Sequence, residues 1–420
     1  MFIYFLYEFM AYPAFGDYSR RRVFDHAVKS AAENGSIVIA QQRYFDALRK
    51  RGGVPSVRCY EIPRQIDASL ISESNDSWVD ARIKAFTTPR AMLVEWLENV
   101  IEEIGEIDGF ITFEPCKSLE AAAGPRNIPI IHRDSAPLRQ PVYTPSLGCL
   151  DFKGTQGAAN EASRRYRAFK KEKAAPLSNY ILRPKEILAL FLADEQKLEE
   201  FDQAPLYDWG IALSSDTSFN YTYNNSYSSN EFVLDASKNI DVSKSLIRAH
   251  PKEWFGVNLV HWQGAVDASP DTESFILQCE RIALTWSKTA FLSMLWGKPT
   301  HIINSPDSAF SAGAVSTLDA ADGGCADDDF VSFITFGYFV PLEFLDDSEY
   351  LKWRISGPAE ADIYMRNISF LFAQKGLDLD AFVRAEDRVG YLLGCRGGAG
   401  QESGGRKGVS PLRWLRGILS

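Results

Sequence analysis

The amino-acid sequence predicts an α/β protein with two parallel-sheet domains. Its 420 residues are too many for one ordinary hydrophobic core. Short apolar runs that suit strands alternate with helix-like segments, which is typical of parallel sheets covered by helices. Between residues 245 and 300 this alternation becomes two clear strand–turn–helix units. We therefore expect two Rossmann-like domains.

The first domain is predicted to span residues 1–175. A Pro-, Gly- and Ser-rich stretch over residues 135–160 is expected to be a long loop, and loops of this length inside a domain are usually functional or disordered. The predicted strands are Phe2–Tyr7, Ser36–Ala40, Val57–Ile62, Gly109–Phe113 and Ile128–His132, and the predicted helices are Tyr44–Arg51, Asp76–Ile104, Lys117–Ala123 and Arg164–Lys173.

The second domain is predicted over residues 176–345. We expect it to open with a fully apolar strand, Ile187–Leu192, followed by a strand at Asp208–Leu213 and by the two strand–turn–helix units. A helix is predicted at Asn230–Asn239, with Ser228 or Ser229 as its N-cap. The remaining predictions are two final helices, Glu360–Gln374 and Leu379–Leu392, within a segment 346–393 that packs back on the first domain, and a disordered Gly-rich tail over residues 394–420.

Composition excludes several classes of protein. A net charge of −10 and a pI near 5.2 argue against a nucleic-acid-binding surface, which needs clustered basic charge. The six cysteines form no CxxC pair or zinc-like cluster, so we expect a reducing compartment and no metal. Met1–Met10 contains Glu8 and no basic start, and is interpreted as a core strand rather than a signal peptide.

These features predict a cytoplasmic protein without a bilayer-spanning segment. The basic and apolar end of the chain, Arg413–Leu419, is the one candidate for a peripheral contact with the cytoplasmic face of a membrane. A solvated chain end is the alternative for this segment.

The two strand–turn–helix units direct polar groups to one edge of the predicted sheet. The first ends in His250-Pro251, and the second runs from an apolar strand into Ser287-Lys288-Thr289 and then a helix. A helix that begins at Ser287 or Lys288 would offer unpaired N–H groups to a phosphate. The structural alternatives are a strand-end core histidine at His250 and an ordinary N-cap beside a surface lysine.

The chain resembles bacterial sialyltransferases and Kdo transferases, which use CMP-activated acidic sugars. The resemblance lies in His250-Pro251 and in the Ser/Thr turn before Gly297-Lys298-Pro299. Within this group, three further segments resemble the retaining β-Kdo transferases of lipopolysaccharide O-antigen and capsule assembly. They are Leu213–Ser218 with the loop Tyr223–Ser229 after it, His132–Pro141, and the "D-x-x-G-x-x-G" loop Leu150–Gly157.

The resemblance implies a GT-B architecture, in which two Rossmann-like domains face a central cleft. It also implies transfer of Kdo from CMP-β-Kdo to an oligosaccharide or lipid-linked glycan, with no cofactor and no obligatory metal. Asp216 would be the carboxylate nucleophile and Asp134 the acid/base, although Asp134 stands where the family is expected to have Glu. His250, Ser287, Lys288 and Thr289 would bind the CMP phosphate, and Arg139 the Kdo carboxylate.

Each carboxylate assignment has an alternative. Asp216 could be a turn-forming residue that accepts backbone N–H bonds after its strand. Asp134 could be a loop carboxylate paired with Arg133 or Arg139, in which case Glu114, at the end of another strand, is the second acid/base candidate.

Two other functions remain open at this stage. One is an inverting, sialyltransferase-like CMP-sugar transferase without a covalent intermediate, and the other is a non-catalytic GT-B module that binds a glycan.

Overall fold

The computed structural model describes most of the chain. The described residues are 1–7, 13–50, 57–72, 74, 78–154, 160–173, 175–214, 227–250, 259, 262–319 and 324–398. Asp216 and the chain end Arg413–Leu419 lie outside them. In this part of the chain no helix is long and apolar enough to cross a membrane.

The first sheet is mixed and has seven strands in the order β12-β6-β5-β4-β1-β2-β3. Strands β5, β4, β1, β2 and β3 are parallel, whereas β6 is antiparallel to β5 and β12 is antiparallel to β6. The strand bounds are β1 Phe2–Leu6, β2 Ile37–Gln41, β3 Cys59–Ile62, β4 Gly109–Thr112, β5 Ile130–Ser135, β6 Leu147–Asp151 and β12 Phe339–Pro341.

Helices cover both faces of the first sheet, because alternate strand residues point to opposite faces and both sets are apolar. Ile3 and Phe5 pack on one face, and Tyr4 and Leu6 pack on the other. The helices of this half are α1 Pro13–Asn34, α2 Gln42–Lys50, α3 Arg64–Ser72, α4 Trp78–Thr87, α5 Ala91–Ile104 and α6 Lys117–Ala123.

The second sheet is fully parallel and has the order β11-β10-β7-β8-β9. Its strands are β7 Tyr207–Ala212, β8 Ser245–Arg248, β9 Ala265–Val266, β10 Cys279–Leu284 and β11 Thr300–Ile302. The strand order reverses between β7 and β10, as it does in Rossmann-like folds. Together with the first sheet this arrangement is the predicted α/β class, with two Rossmann-like sheets.

The remaining helices connect the sheets and close the chain. Their bounds are α7 Ala162–Glu172, α8 Ala175–Ser178, α9 Pro184–Phe191, α10 Ser229–Asn239, α11 Thr272–Leu277, α12 Thr289–Leu295, α13 Asp328–Phe333, α14 Ser348–Ile355, α15 Glu360–Gln374, α16 Leu379–Arg384 and α17 Arg388–Gly398. The N-cap of α10 is Ser228, whose side chain forms a capping box with Glu231.

The apolar run Ile187–Leu192, predicted as the first strand of the second domain, is instead most of α9. Pro184 occupies the first turn of this helix, where the buried Glu186 carboxylate accepts from the Arg183 backbone N–H at 2.8 Å and from the Arg183 guanidinium. Every residue from Glu186 to Phe191 is buried, so the helix has no polar face. A fully buried helix of this length has the same apolar pattern as a buried strand.

The end of the chain also differs from the prediction. Strand β12 joins the first sheet at Phe339, inside the segment 176–345 assigned to the second domain. Helix α14 packs on the first sheet through Tyr350 and Leu351, but α17 packs mainly on α9. Helix α17 also continues to Gly398, into the segment 394–420 that was expected to be disordered, and residues 399–420 lie outside the described residues.

A hairpin replaces part of the loop predicted over residues 135–160. Strand β6 pairs with β5 from His132 to Ser135, whereas β4 pairs with β5 only as far as His132. The end of β5 therefore extends past β4 and is held by β6, which pairs in turn with β12 over Leu147–Cys149. This end of β5 carries Asp134 on the side of the second sheet.

Candidate active site

The polar residues of the second sheet lie at the carboxyl ends of its strands, at the point where the strand order reverses. Ser214 follows β7, and its hydroxyl lies 3.1 Å from the hydroxyl of Thr285, which follows β10. Ser214 Oγ also donates to the carbonyl of Trp286, and the Ser229 hydroxyl donates to the Ser214 carbonyl at 2.8 Å. A crevice at such a reversal is the usual ligand site of a parallel α/β sheet.

The turn Ser287-Lys288-Thr289 follows β10 directly, and α12 begins at Thr289 rather than at Ser287 or Lys288. The Ser287 hydroxyl accepts from Thr289 N at 3.1 Å and donates to Thr289 Oγ1 at 3.0 Å. The next two N–H groups, of Ala290 and Phe291, donate to the carbonyls of Ser287 and Lys288. These first N–H groups are already used, so side chains rather than backbone would have to hold a phosphate here.

Lys288 joins the two halves of the molecule at this turn. Its ammonium donates to Asp134 Oδ2 at 2.6 Å and also to the carbonyl of Ser135. Both side chains are partly exposed, 39% for Lys288 and 27% for Asp134. Two residues predicted from separate motifs therefore lie in direct contact.

Asp134 pairs with neither Arg133 nor Arg139, which were its predicted alternative partners. Arg133 points to the other face of β5, where it pairs with Asp346 and lies over the rings of Tyr4 and Phe113. Opposite directions are expected for neighbouring residues of a strand.

Arg139 is exposed in the connection between β5 and β6, and its carbonyl accepts from the Tyr143 N–H at 3.1 Å. Glu114 is half-buried just after β4, and its carbonyl accepts from the Thr112 hydroxyl. Glu114 thus follows the strand next to β5, at the same edge of the first sheet.

His250 is half-buried and follows the carboxyl end of β8 by two residues. Strand β7 separates β8 from β10, so two strand spacings, roughly 10 Å, lie between His250 and the Ser287 turn. His250 and the Ser287-Lys288-Thr289 turn are therefore at the same edge of one sheet, but they follow strands that are not neighbours. Asp216 follows Ser214 by two residues and lies outside the described residues, so its predicted role is not tested.

Asp151, in the "D-x-x-G-x-x-G" segment, is fully buried and binds backbone groups of residues 153, 154 and 161. Its Oδ1 accepts from the N–H groups of Lys153 and Gly154 at 2.8 and 3.1 Å. Its Oδ2 accepts from Glu161 N at 2.8 Å and from the Tyr338 hydroxyl at 3.1 Å. Burial, with the neighbouring Asp151 charge, raises the pKa of Tyr338 and keeps this phenol protonated as a donor.

Asn160, next to Glu161, makes a second contact between the two halves of the molecule. The Asn160 side chain donates to the carbonyl of Asp307, which follows β11, at 2.7 Å. Asp151 therefore has a positioning role that sequence reasoning did not assign. Its motif was recognised, but only the structure shows that four donors surround one carboxylate.

His132 is a second residue that sequence reasoning did not single out. It is buried on β5 and, two residues from Asp134, points to the same face of the strand. Burial lowers the pKa of His132 to about 4, so this imidazole is neutral at physiological pH. The sequence signal for its burial was its spacing of two residues from Ile130, because residues i and i+2 of a strand share a face and Ile130 packs in the apolar core.

No group of His, Cys, Asp and Glu side chains within the described residues could hold a metal ion. The acidic run at residues 327–329 has structural contacts instead. Asp327 caps α13, and Asp329 pairs with Lys173 at 2.6 Å.

Comparison with known proteins supports a glycosyltransferase. Residues 47–160 match the sequence profile described as Glycosyltransferase 99 family N-terminal domain. This match covers the edge of the first sheet that carries Asp134 and Glu114. No curated protein matches the chain.

Solved structures with a similar fold have low identity to the chain. The β-Kdo 2,7 transferase of Thermosulfurimonas dismutans KpsC is 11% identical with a TM-score of 0.39, over 63% of this chain and 90% of that chain. The β-Kdo 2,4 transferase of the same protein is 8% identical with a TM-score of 0.32, over 54% and 78% of the two chains. Anabaena Alr3699/HepE, in complex with UDP and glucose, is 12% identical with a TM-score of 0.31, over 90% and 98%.

The architecture and the profile match together support a GT-B glycosyltransferase. The similarities to solved structures concern the fold alone.

Proposed function

We propose that this protein is a retaining β-Kdo transferase that moves Kdo from CMP-β-Kdo to a glycan acceptor in O-antigen or capsule assembly. The observation that carries the proposal is the meeting of Lys288 and Asp134 between the two sheets. An ammonium suited to a phosphate and a carboxylate suited to proton transfer lie 2.6 Å apart at the carboxyl edges of both sheets.

The donor would bind at the strand reversal of the second sheet. Lys288 and the hydroxyls of Ser287 and Thr289 would bind its phosphate, since the neighbouring N–H groups are occupied. His250, at the same edge, would donate to the leaving phosphate and stabilise the charge that develops on it. Arg139, exposed in the connection between β5 and β6, would pair with the Kdo carboxylate.

Retention of configuration by double displacement consists of two successive inversions and therefore needs a nucleophile on the face of the sugar opposite the phosphate. Asp216 is proposed for this role because it follows β7 at the strand reversal by a few residues. In the first step the carboxylate of Asp216 forms a bond to the anomeric carbon while the bond to the CMP phosphate breaks. In the second step the acceptor hydroxyl displaces Asp216 and gives its proton to Asp134.

Nucleotide preference tests the donor assignment. A nucleotide present at about 100-fold excess over its Kd raises the free energy of unfolding by about 2.7 kcal/mol. We expect CMP to raise the melting temperature more than UMP, GDP or UDP in a thermal-shift experiment. A clear shift with UDP and none with CMP would overturn the CMP-sugar assignment while leaving a glycosyltransferase in place.

A further inference from the structure

We propose that Lys288 couples donor binding to the release of Asp134. In the free protein the ammonium holds the carboxylate, and an arriving donor phosphate takes the ammonium away from it. Asp134 then becomes available to the acceptor hydroxyl only when a donor is bound. The inference rests on the proposed function for the phosphate site, and it adds an order of events to that site.

The contact between the two side chains is specific in its atoms. A lysine ammonium has three N–H donors, and here two of them are directed at Asp134 Oδ2 and the Ser135 carbonyl. The other oxygen of Asp134 accepts from the Ser135 N–H at 2.7 Å. Both oxygens of the carboxylate are therefore occupied, and Lys288 supplies the charged partner.

One ammonium cannot neutralise a phosphodiester and a carboxylate at the same time. The nearest guanidinium along the strand, that of Arg133, points to the opposite face and is engaged by Asp346. An anion at Lys288 therefore competes with Asp134 for the same positive charge. Competition of this kind makes phosphate binding and carboxylate release one linked equilibrium.

Only a lysine side chain needs to move in this exchange. The end of β5 that bears Asp134 is held in place by strand pairing with β6 and by the buried contacts of Arg133 with Asp346, Tyr4 and Phe113. Lys288 is partly exposed and a lysine has a flexible four-carbon chain, so its ammonium can turn from Asp134 toward the crevice beside Ser214. The two sheets can keep their relative position.

The test is a double-mutant cycle read out as the Kd for CMP by titration calorimetry. Partly exposed ion pairs contribute a factor of roughly two to five to an equilibrium. With Lys288 present, Asp134→Asn should therefore tighten CMP binding by about two- to five-fold. In the Lys288→Met background the same substitution should have almost no effect, because the competing ammonium is absent.

The matched control is Asp307→Asn, which removes one exposed carboxylate from the segment after β11 without touching the pair. It should leave the Kd for CMP unchanged. The conservative variant Lys288→Arg, which retains a cation at this position, should restore the effect of Asp134→Asn. Circular dichroism of each variant checks that it is folded, as expected for partly exposed positions.

Three results would overturn the coupling. Asp134→Asn could tighten CMP binding equally in the wild-type and Lys288→Met backgrounds, which would indicate a general effect of removing negative charge. Tightening of CMP binding by Asp307→Asn to the same extent as by Asp134→Asn would indicate the same. Weaker CMP binding in Asp134→Asn would mean that the carboxylate helps to hold the nucleotide.

Failure of the coupling and failure of the proposed function give different results. If CMP binds and the cycle is additive, the coupling is wrong and the donor assignment stands. If UDP binds in place of CMP and the cycle run with UDP shows the coupling, the donor assignment is wrong and the coupling stands. If neither nucleotide binds at millimolar concentration, both are wrong.

Discussion

Asp151 and Asp134 lie on neighbouring strands of the first sheet, yet their surroundings are opposite in kind. Asp151 is fully buried and accepts hydrogen bonds from four donors, three of them backbone N–H groups. Asp134 is partly exposed, and its charged partner is one ammonium from the other half of the molecule. A buried carboxylate surrounded by four donors is structural, whereas a partly exposed one with one charged partner is accessible to a substrate.

The largest expected effect concerns Asp216, the carboxylate proposed as the nucleophile. Asp216→Asn keeps the shape but removes the charge and most of the nucleophilicity, so transfer should fall by several orders of magnitude while CMP binding survives. Intact-protein mass spectrometry of the wild type with donor alone should show an adduct of one Kdo, on the peptide that contains Asp216. Near-normal turnover of the variant would remove Asp216 from the mechanism and favour the inverting alternative.

The next effect concerns His250. If its imidazole donates to the leaving phosphate, His250→Ala should raise the activation free energy by roughly 2–4 kcal/mol, because that interaction is stronger in the transition state. Steady-state kinetics should show the loss in kcat rather than in the KM for donor. A change confined to KM would make His250 a binding residue only.

Substitution of Asp151 should lower the free energy of unfolding more than it lowers the rate of the transfer reaction. Asp151→Ala leaves buried N–H groups without an acceptor, which should lower the free energy of unfolding by about 3 kcal/mol. Tyr338→Phe removes one of the four donors and should cost about 1 kcal/mol. Urea denaturation measures both values, and a larger loss for the tyrosine variant would contradict the ranking.

The last effect is the pH dependence of stability due to His132, which is smaller than the loss expected for Asp151→Ala. Its folded-state pKa of about 4 lies below the unfolded value of about 6.5, so the unfolded chain takes up a proton first as pH falls. Stability should therefore decrease from about pH 6.5 toward pH 4, with a contribution of about 2 kcal/mol already lost at pH 5. His132→Gln should flatten this part of the stability curve, and an unchanged slope would mean that His132 is protonated in the folded protein.

Local pattern was sufficient for several elements of the fold. The first strand, the helix Glu360–Gln374 and the capped helix after Ser228 follow from apolar spacing and capping residues, which depend on sequence neighbours alone. The pattern was not sufficient at Ile187–Leu192. Helix α9 is buried on all sides, so its apolar run has no period that separates helix from strand.

The candidate site likewise has features that the sequence predicts and features that it does not. Its residue types and their order were readable in the sequence, because a lysine and hydroxyl turn after an apolar strand has a local signature. The pairing of Lys288 with Asp134 could not be read there, since it joins positions 154 residues apart. The set of four donors around Asp151 likewise includes Tyr338, which is 187 residues away in the sequence.

The sequence by itself determined the α/β class, the two units at residues 245–300 and the candidate polar residues at their strand ends. Only the tertiary structure decided that β6 joins the sheet between β5 and β12, and that the charge of Asp134 is matched by Lys288 rather than by a neighbouring arginine. The physical reason is that strand faces and strand order set which side chains meet. Neither is contained in the local pattern of a single segment.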